Sequence, residues 1–218
     1  YRHNTAGMLP DADIAMLDEL PRANPGVLDQ ILPMLNERKF TNGSKVEKLR
    51  LLMVAGGANN LFEDENLDAL WDRFAIRMWM DDIQDDDAWA DVIFEILDPS
   101  EPPKSDLSPC DIMTARDDIA KVGHASVGEF VIKLRHELSE AGIKMSPRRW
   151  KAAIRIARVS AWLQGRTELQ DEDFEVVSHI AWNTVDEQKK VSKIVGKLAN
   201  PLNEKALAWI DAASQIAT

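Results

Sequence analysis

The sequence predicts an α/β part followed by an all-α helical bundle. Short apolar runs that favour β structure lie in the first eighty residues. A run with three prolines, residues 98–108, then marks a boundary, and beyond it apolar residues recur at helical spacing. The predicted divisions are an α/β part at 1–97, a linker at 98–110, a helical bundle at 111–190 and the start of a further helical segment at 191–218.

Three segments of the α/β part are predicted to be strands, namely Ile14–Leu17, Leu51–Ala55 and Ala75–Trp79. The first two are continuously apolar, which is typical of parallel strands that are covered on both faces. A helix is predicted between them, because Asn24 and Pro25 suit an N-cap and a first helical residue. A proline inside a helix removes a hydrogen bond, so Pro33 predicts a kink or an early end.

The predicted helical bundle rests on three apolar stripes with helical spacing. Their members are Val127, Phe130, Val131, Leu134 and Leu138 in the first, Trp150, Ala153, Ile154, Ala157 and Ala161 in the second, and Phe174, Val177 and Ala181 in the third. Ser146 followed by Pro147 predicts the start of the second helix, and Gly165 suits its C-cap. These stripes predict a small bundle with one shared core.

The composition excludes several classes of function. The 218 residues include 26 Lys plus Arg and 37 Asp plus Glu, a formal net charge of −11 that disfavours broad binding to nucleic acid. The longest apolar run, residues 51–58, is far shorter than the roughly 20 residues of a membrane-spanning helix. The single cysteine, Cys110, forms no intrachain disulfide, and no signal peptide is evident, so the cytoplasm is the expected compartment.

The strongest chemical signal is a pair of carboxylates, Asp18 and Glu19, directly after the first predicted strand. Ligands of α/β sheets bind at the carboxyl ends of strands. In a nucleotide hydrolase, one carboxylate of such a pair holds the magnesium shell and the other orients the attacking water. The same pattern is also typical of a strand that leads into a solvated turn, so it does not decide the function alone.

An ordered set of motifs extends this signal. LPDADIAMLDEL, LNERKFTNG, LLMVA and LWDRF follow one another between Gly7 and Phe74, and SPRRW and AWLQGR lie at 146–150 and 161–166. In this order they resemble the second half of a MoxR-type AAA+ ATPase, closest to the RavA branch, together with its helical lid. The resemblance covers roughly residues 1–190 and implies a partial AAA+ parallel-sheet nucleotide domain with a small helical-bundle lid.

The resemblance implies roles for individual residues. Asp18 and Glu19 match the Walker B pair, which coordinates magnesium and activates water. Arg73 matches the arginine finger that acts on the nucleotide of a neighbouring subunit. Arg148 matches the sensor 2 arginine, which contacts the terminal phosphates from the same chain. A guanidinium group is well shaped to meet the charge that spreads over phosphoryl oxygens.

The sequence also departs from the family pattern. An ungapped alignment puts Ala58 at the position of the sensor 1 asparagine, with Asn59 and Asn60 just beyond, and Asn59 is the candidate retained here. Pro21 stands where the wider family has a polar or aromatic residue. No glycine opens a GxxxxGK motif followed by Ser or Thr, since Gly196–Lys197 precedes Leu198. Either a parent protein carries the phosphate-binding loop upstream, which the abrupt start favours, or the chain is a loopless relative.

The expected function is that of a chaperone-like remodelling ATPase of the MoxR type. The resemblance implies ATP and Mg²⁺ as ligands, a ring that is expected to be hexameric, and a partner with a von Willebrand factor A domain. The alternative is a non-enzymatic module that binds a protein through its acidic surface and tryptophans. A third option is a metal-dependent hydrolase built on Asp18 and Glu19 alone, although no nearby histidine or carboxylate completes a ligand pattern.

Overall fold

The computed structural model describes residues 4–59, 70, 72–97, 101 and 104–202. The strands are β1 (Ile14–Asp18), β2 (Lys39–Asn42), β3 (Lys45–Lys48) and β4 (Met53–Gly57). The α-helices are α1 (Pro25–Glu37), α2 (Asp86–Leu97), α3 (Pro109–Ile119), α4 (Gly128–Glu140), α5 (Pro147–Leu163) and α6 (Val185–Ala199). Short 3₁₀ helices lie at Leu9–Asp11, Leu20–Arg22, Ala125–Val127 and Asp171–His179. The predicted order of an α/β part followed by an all-helical part is confirmed.

The core of the α/β part is a parallel pair formed by β1 and β4. Ile14 is opposite Met53 at one end, and Asp18 is opposite Gly57 at the other. Helix α1 packs on one face of this pair, where its apolar residues meet Ala15, Leu17 and other partly buried side chains. Strand β4 begins at Met53, two residues later than the predicted strand Leu51–Ala55. Leu51 instead packs against Met34 of α1 in the core.

The prediction that both faces of these strands are covered is wrong for the described part of the chain. Ile14, Met16 and Met53 are 62%, 65% and 57% exposed. The alternation of side chains along a strand puts Ile14 and Met16 opposite the face that α1 covers. An apolar run predicts two covered faces, but the described residues supply a helix for only one.

The third predicted strand, Ala75–Trp79, is also wrong, because the described structure has no strand there. A strand requires a neighbouring backbone as its hydrogen-bond partner, and no described strand lies beside this segment. Instead, the backbone N–H of Arg77 donates to the carbonyl of His179, 2.8 Å away in the helical bundle. The residues 72–83, called here the connecting segment, thus run between the two parts.

Helix α1 begins as the sequence predicts. Asn24 is its N-cap, and its side chain accepts a hydrogen bond of 2.8 Å from the backbone N–H of Gly26. The helix does not end early at Pro33, because it continues to Glu37. Pro33 lies on the exposed side of α1, and so does Asp29, whose carbonyl loses its helical partner there. Water can satisfy that carbonyl. Of the two predicted effects of Pro33, a kink or an early end, the early end is therefore wrong.

The hairpin of β2 and β3 was not predicted. Asn42 pairs with Lys45 at its tip, and Gly43 adopts a left-handed φ of 64° in the turn between them. The two loop residues are Gly43 and Ser44, and Gly-Ser between short strands is a hairpin signal, because glycine at the first loop position tolerates the positive φ that such a turn requires. The signal was therefore present in the sequence.

The helical bundle has the core that the stripes predict. Leu134, Ala153, Ala157, Phe174 and Val177 are fully buried in one cluster. Phe174 and Val177 of the third stripe lie in a 3₁₀ helix, Asp171–His179, rather than in an α-helix, and Ala181 follows the end of that helix. Ser146 caps α5 as predicted, and Gly165 has the expected positive φ of 71°.

Helix α6 extends this bundle past the predicted division at residue 190. It runs without interruption from Val185 to Ala199. Val191 and Val195 are buried in the same cluster as Leu134 and Phe174. The segment predicted to begin a further unit at 191 thus packs into the bundle up to Ala199, and residues 203–218 lie outside the described residues.

A buried ion pair ties the end of α5 to the 3₁₀ helix that follows it. Arg166 donates to both carboxylate oxygens of Asp173, at 2.7 and 2.8 Å. The hydrogen bond to Asp173 is the main cause that raises the pKa of Arg166, and the charges of Asp173 and Glu172 act in the same direction.

In the described part of the chain, no helix is both long and apolar enough to cross a membrane.

Candidate functional site

The first part of the candidate site is the carboxyl end of β1. Asp18 is the last residue of the strand, and an ideal Cβ at the opposite Gly57 would lie only 3.3 Å from Asp18 Oδ1. Glycine thus leaves space beside this carboxylate. Glu19 has φ 49° and ψ 36°, a left-handed conformation that is uncommon outside glycine. The chain turns sharply there, and the backbone N–H of Glu19 donates to Asp18 Oδ1 at 3.0 Å.

Both carboxylate oxygens of Glu19 have partners. Asn59 Nδ2 donates to Oε1 at 2.5 Å, and Arg22 Nε lies 3.3 Å from Oε2. Asn59 follows the end of β4 by two residues, so the parallel pairing brings it to the same edge of the sheet as Glu19. Ala58 has no polar side chain, and Asn60 lies outside the described residues. The structure therefore brings three of the predicted site residues, Asp18, Glu19 and Asn59, together.

The second part of the candidate site surrounds Arg73. Its Nε donates to Asn36 Oδ1 at 2.6 Å, which ties it to the end of α1. Its Nη1 is buried, and no described residue accepts a hydrogen bond from it. Burial is the main cause that lowers the pKa of Arg73; the nearby charge of Arg148 lowers it further, and Asp72 acts in the opposite direction. Arg73 is therefore held in place through Nε, while its Nη1 has no acceptor among the described residues.

Asp72 joins this arginine to the helical bundle. Its Oδ2 accepts a hydrogen bond of 2.9 Å from Ser146 Oγ, the N-cap of α5. Its Oδ1 lies 3.3 Å from Nε of Arg149, whose side chain is only 3% exposed. Arg148, the predicted sensor 2 residue, lies between these two contacts in the sequence and is exposed.

Two buried arginines strengthen the same junction. Arg77 and Arg149 both donate to the carbonyl of Trp182 and to Asn183 Oδ1. Together with Arg73 and Arg148, they concentrate positive charge at one place in a chain whose formal net charge is −11. A site with this charge, in which Arg73 Nη1 has no acceptor from the part of the chain that the structure describes, suits an anion.

The predicted site residues thus fall into two groups. Asp18, Glu19 and Asn59 lie at the sheet edge, whereas Arg73 and Arg148 lie at the junction with the helical bundle. Within the described part of the chain, no hydrogen bond or ion pair joins the two groups. The described residues also contain no group of three or more His, Cys, Asp or Glu side chains that could hold a metal ion.

Several residues of these sites were missed by sequence reasoning. Asp72 stands beside Arg73 in the LWDRF motif, and Arg149 directly follows Arg148. Both residues are adjacent in sequence to predicted site residues, and this adjacency could have identified them. Asn36 stands in the LNERKFTNG motif, but its contact with Arg73 could not be read from that motif, because the contact depends on how α1 packs beside the connecting segment.

Arg149→Ala is expected to lower the free energy of unfolding by about 3 kcal/mol, because it leaves Asp72 without its buried partner. The matched control is Arg148→Ala, since Arg148 is the adjacent residue on α5 but is exposed. That control is expected to change stability by no more than about 0.5 kcal/mol. Urea unfolding followed by tryptophan fluorescence measures both. Equal losses in the two variants would contradict a structural role specific to Arg149.

Comparisons with known proteins match both parts of the chain. Residues 1–96 match the family model described as the MoxR domain in the MoxR–vWA–β-propeller ternary systems. Residues 126–195 match the model of the AAA lid domain. The chain belongs to the MoxR family of AAA+ proteins. In this MoxR-family chain, the helical bundle is therefore the AAA lid, as the motifs SPRRW and AWLQGR predict.

Two uncharacterized proteins of Methanocaldococcus jannaschii are similar to this MoxR-family chain. They are 33% identical over 92% of the chain and 32% identical over 95% of it. The chain spans about half the length of these relatives, 53% and 54% respectively.

A solved structure shares the fold. The crystal structure of a candidate ATPase from Cytophaga hutchinsonii matches with a TM-score of 0.69 and 19% identity. The match covers 87% of this chain and 67% of the other. At this identity, the likeness shows the fold alone.

Proposed function

We propose that this chain belongs to an ATP-hydrolysing MoxR ATPase of the RavA-like branch, which remodels other proteins in a chaperone-like manner. The observation that carries the proposal is the contact of Asn59 with Glu19 at the carboxyl end of the parallel pair. The polar side chain of Asn59, which follows β4, donates to the predicted catalytic carboxylate of Glu19, which follows the neighbouring strand β1. The phosphate-binding loop would be carried by residues outside this chain.

The two carboxylates have different tasks in this proposal. Glu19 orients and polarises the attacking water through one oxygen, while Asn59 and Arg22 hold the carboxylate in place. Asp18 would hold Mg²⁺ through water beside the space that Gly57 leaves. Carboxylate oxygen suits this hard cation, which usually keeps several waters and needs few protein ligands. When bound, Mg²⁺ neutralises charge that develops on phosphate oxygens.

Arg73 and Arg148 supply positive charge to the terminal phosphate. The resemblance alone assigns Arg73 to the nucleotide of a neighbour and Arg148 to that of its own chain. The pKa of Arg73 is lowered mainly by burial and further by the charge of Arg148, and an anion bound between the two arginines would offset both effects, which favours one shared nucleotide. The buried Nη1 of Arg73 would then have an acceptor. In this arrangement Arg148 acts on the same neighbour as Arg73.

A ring is proposed together with this division of the site. The resemblance assigns Arg73 to the nucleotide of a neighbour, so the two arginines of one subunit would complete the site that the sheet-edge carboxylates of an adjacent subunit begin. A closed ring of identical subunits satisfies every such site, and a hexamer is proposed. A partner with a von Willebrand factor A domain is also proposed, because the matched MoxR domain is described from systems with that component.

The test of the proposed function is hydrolysis of ATP by the complete protein that carries this chain, with and without Mg²⁺. Phosphate release that requires Mg²⁺ and is lost in Glu19→Gln supports the proposal. A complete protein that neither binds nor hydrolyses ATP would contradict it.

The second candidate function is a non-enzymatic protein-interaction module. The observation in its favour is the exposure of Met80, Trp89 and Phe94, at 84%, 56% and 66%, on and just before the acidic helix α2. Exposed large apolar side chains are typical of binding surfaces where they form a patch, and these three would contribute to one. Nucleotide binding measured on the complete protein separates the two functions, since the module requires none.

A further inference from the structure

The three residues Asp72, Arg73 and Phe74 contact both parts of the molecule. Phe74 packs beside Leu17 of β1, and its ring would meet an ideal Cβ at Gly56 at 3.2 Å. Arg73 contacts Asn36 at the end of α1. Asp72, by contrast, contacts the first turn of α5 in the lid. Two adjacent residues, Asp72 and Arg73, thus contact different parts of the molecule: Asp72 contacts the lid, and Arg73 contacts the α/β part.

The contacts of Asp72 fix the start of α5. Ser146 Oγ donates to Asp72 Oδ2 at 2.9 Å and also accepts from the backbone N–H of Arg149 at 3.3 Å. The second carboxylate oxygen lies 3.3 Å from Arg149 Nε. The Arg149 side chain is 3% exposed and that of Asp72 is 29% exposed, so water screens this ion pair less than a pair at the surface. The carboxylate of Asp72 therefore contacts Ser146 and Arg149, which lie on either side of Arg148 in the sequence.

We propose that Asp72 is a positioning residue that sets Arg73 and Arg148 at a fixed spacing around one phosphoryl group. The proposal rests on the proposed function, in which both arginines meet the same nucleotide. Asp72 itself does not contact the nucleotide. It is bonded covalently to Arg73 and non-covalently to the turn that carries Arg148, so a change at Asp72 moves one arginine relative to the other.

The test uses Asp72→Asn in the complete protein, with ATP hydrolysis as the readout. Asparagine keeps the shape and an acceptor for Ser146 but loses the charge that Arg149 requires. The kcat is expected to fall about tenfold or more, because small displacements of catalytic groups are costly. The KM for ATP is expected to stay within about twofold, since the positioned groups act on the transition state.

A double variant separates positioning from a general structural role. If Asp72 acts through the arginines, adding Asp72→Asn to Arg73→Ala lowers kcat by less than about twofold beyond Arg73→Ala alone. If Asp72→Asn instead lowers kcat by the same factor in the unchanged protein and in Arg73→Ala, the proposal is overturned. Asp91→Asn is the matched control, because Asp91 is exposed on α2, and its kcat is expected to match that of the unchanged protein.

A second variant covers the case in which Asp72→Asn does not fold, as judged by circular dichroism and thermal unfolding. Ser146→Ala removes one contact of Asp72 and keeps its charge, and it is expected to lower kcat in the same non-additive way. An unchanged kcat in a folded Ser146→Ala overturns the proposal. If Arg73→Ala and Glu19→Gln both retain full hydrolysis, the proposed function itself fails. This result is distinct from a failure of the Asp72 proposal alone, in which those two variants lose hydrolysis but Asp72→Asn does not.

Discussion

Arg73→Ala is expected to slow ATP hydrolysis by the complete protein about a thousandfold or more. An arginine that meets the transferred phosphoryl group stabilises the charge of the transition state, and its loss has an effect of this size. The structure favours such a role because Arg73 Nη1 is buried and has no acceptor within residues 4–59, 70, 72–97, 101 and 104–202, which the structure describes, while Arg73 Nε donates to Asn36. The affinity for ATP is expected to change far less, since the guanidinium acts mainly in the transition state.

The measurement is steady-state phosphate release, with ATP binding measured separately. Arg135→Ala is the matched control, because Arg135 is exposed on α4, and it is expected to be fully active. Arg73→Lys is informative as well, since lysine keeps the charge but lacks the planar fork, and it is expected to recover little activity. Hydrolysis by Arg73→Ala within a few fold of the unchanged protein would contradict the assignment.

Mixing two inactive variants tests whether Arg73 acts on a neighbour. Glu19→Gln subunits have no catalytic base but carry Arg73, whereas Arg73→Ala subunits have the base but lack the arginine. Mixed rings are expected to regain hydrolysis, because some Arg73→Ala sites would then face an intact Arg73. No recovery, despite proven mixing of the subunits, would indicate that Arg73 acts within its own chain.

Glu19→Gln is expected to lower kcat about a hundredfold or more, while ATP remains bound. Removing a positioned base costs about 10²–10⁴ in rate. Glutamine keeps the length of the side chain and an oxygen that can accept from Asn59, so the contact at the sheet edge is preserved. The loss of hydrolysis with retained binding therefore reports the carboxylate itself.

Single-turnover hydrolysis and equilibrium ATP binding measure the two quantities for Glu19→Gln. Glu140→Gln is the control, since Glu140 is exposed at the end of α4 and is expected to behave as the unchanged protein. Asn59→Ala is expected to act in the same direction with a smaller loss, because Glu19 keeps its charge but loses one partner. A Glu19→Gln variant with undiminished turnover would remove the basis of the catalytic proposal.

Local sequence signals predicted the elements whose geometry depends on neighbouring residues. Asn24 and Ser146 cap their helices as expected, and Gly165 adopts its left-handed conformation. Capping requires particular side chains within three residues, so it is readable from the chain. The apolar stripes of the bundle succeeded for the same reason, since a helix repeats its buried face every three or four residues.

Predictions that depend on distant parts of the chain failed more often. Ala75–Trp79 has a β-favouring composition, yet a strand forms only where another backbone lies alongside, and its backbone bonds to His179 instead. The two-sided cover expected for β1 failed similarly, since composition does not show what packs against Ile14 and Met16. The sheet-edge residues were predictable in type, but the pairing of Glu19 with Asn59 required the register of β1 and β4.

The amino-acid order alone determined the family, the division into an α/β part and a helical lid, and the side chains capable of acting on a phosphate. Those properties reside in short motifs and in periodicity. Only the tertiary structure decided that Arg73 lies near Arg148, that Asn36 holds it, and that Asp72 joins it to α5 across 74 residues of chain. Such contacts depend on how whole elements pack, because side chains far apart in sequence meet only when burial of their apolar faces brings the elements together.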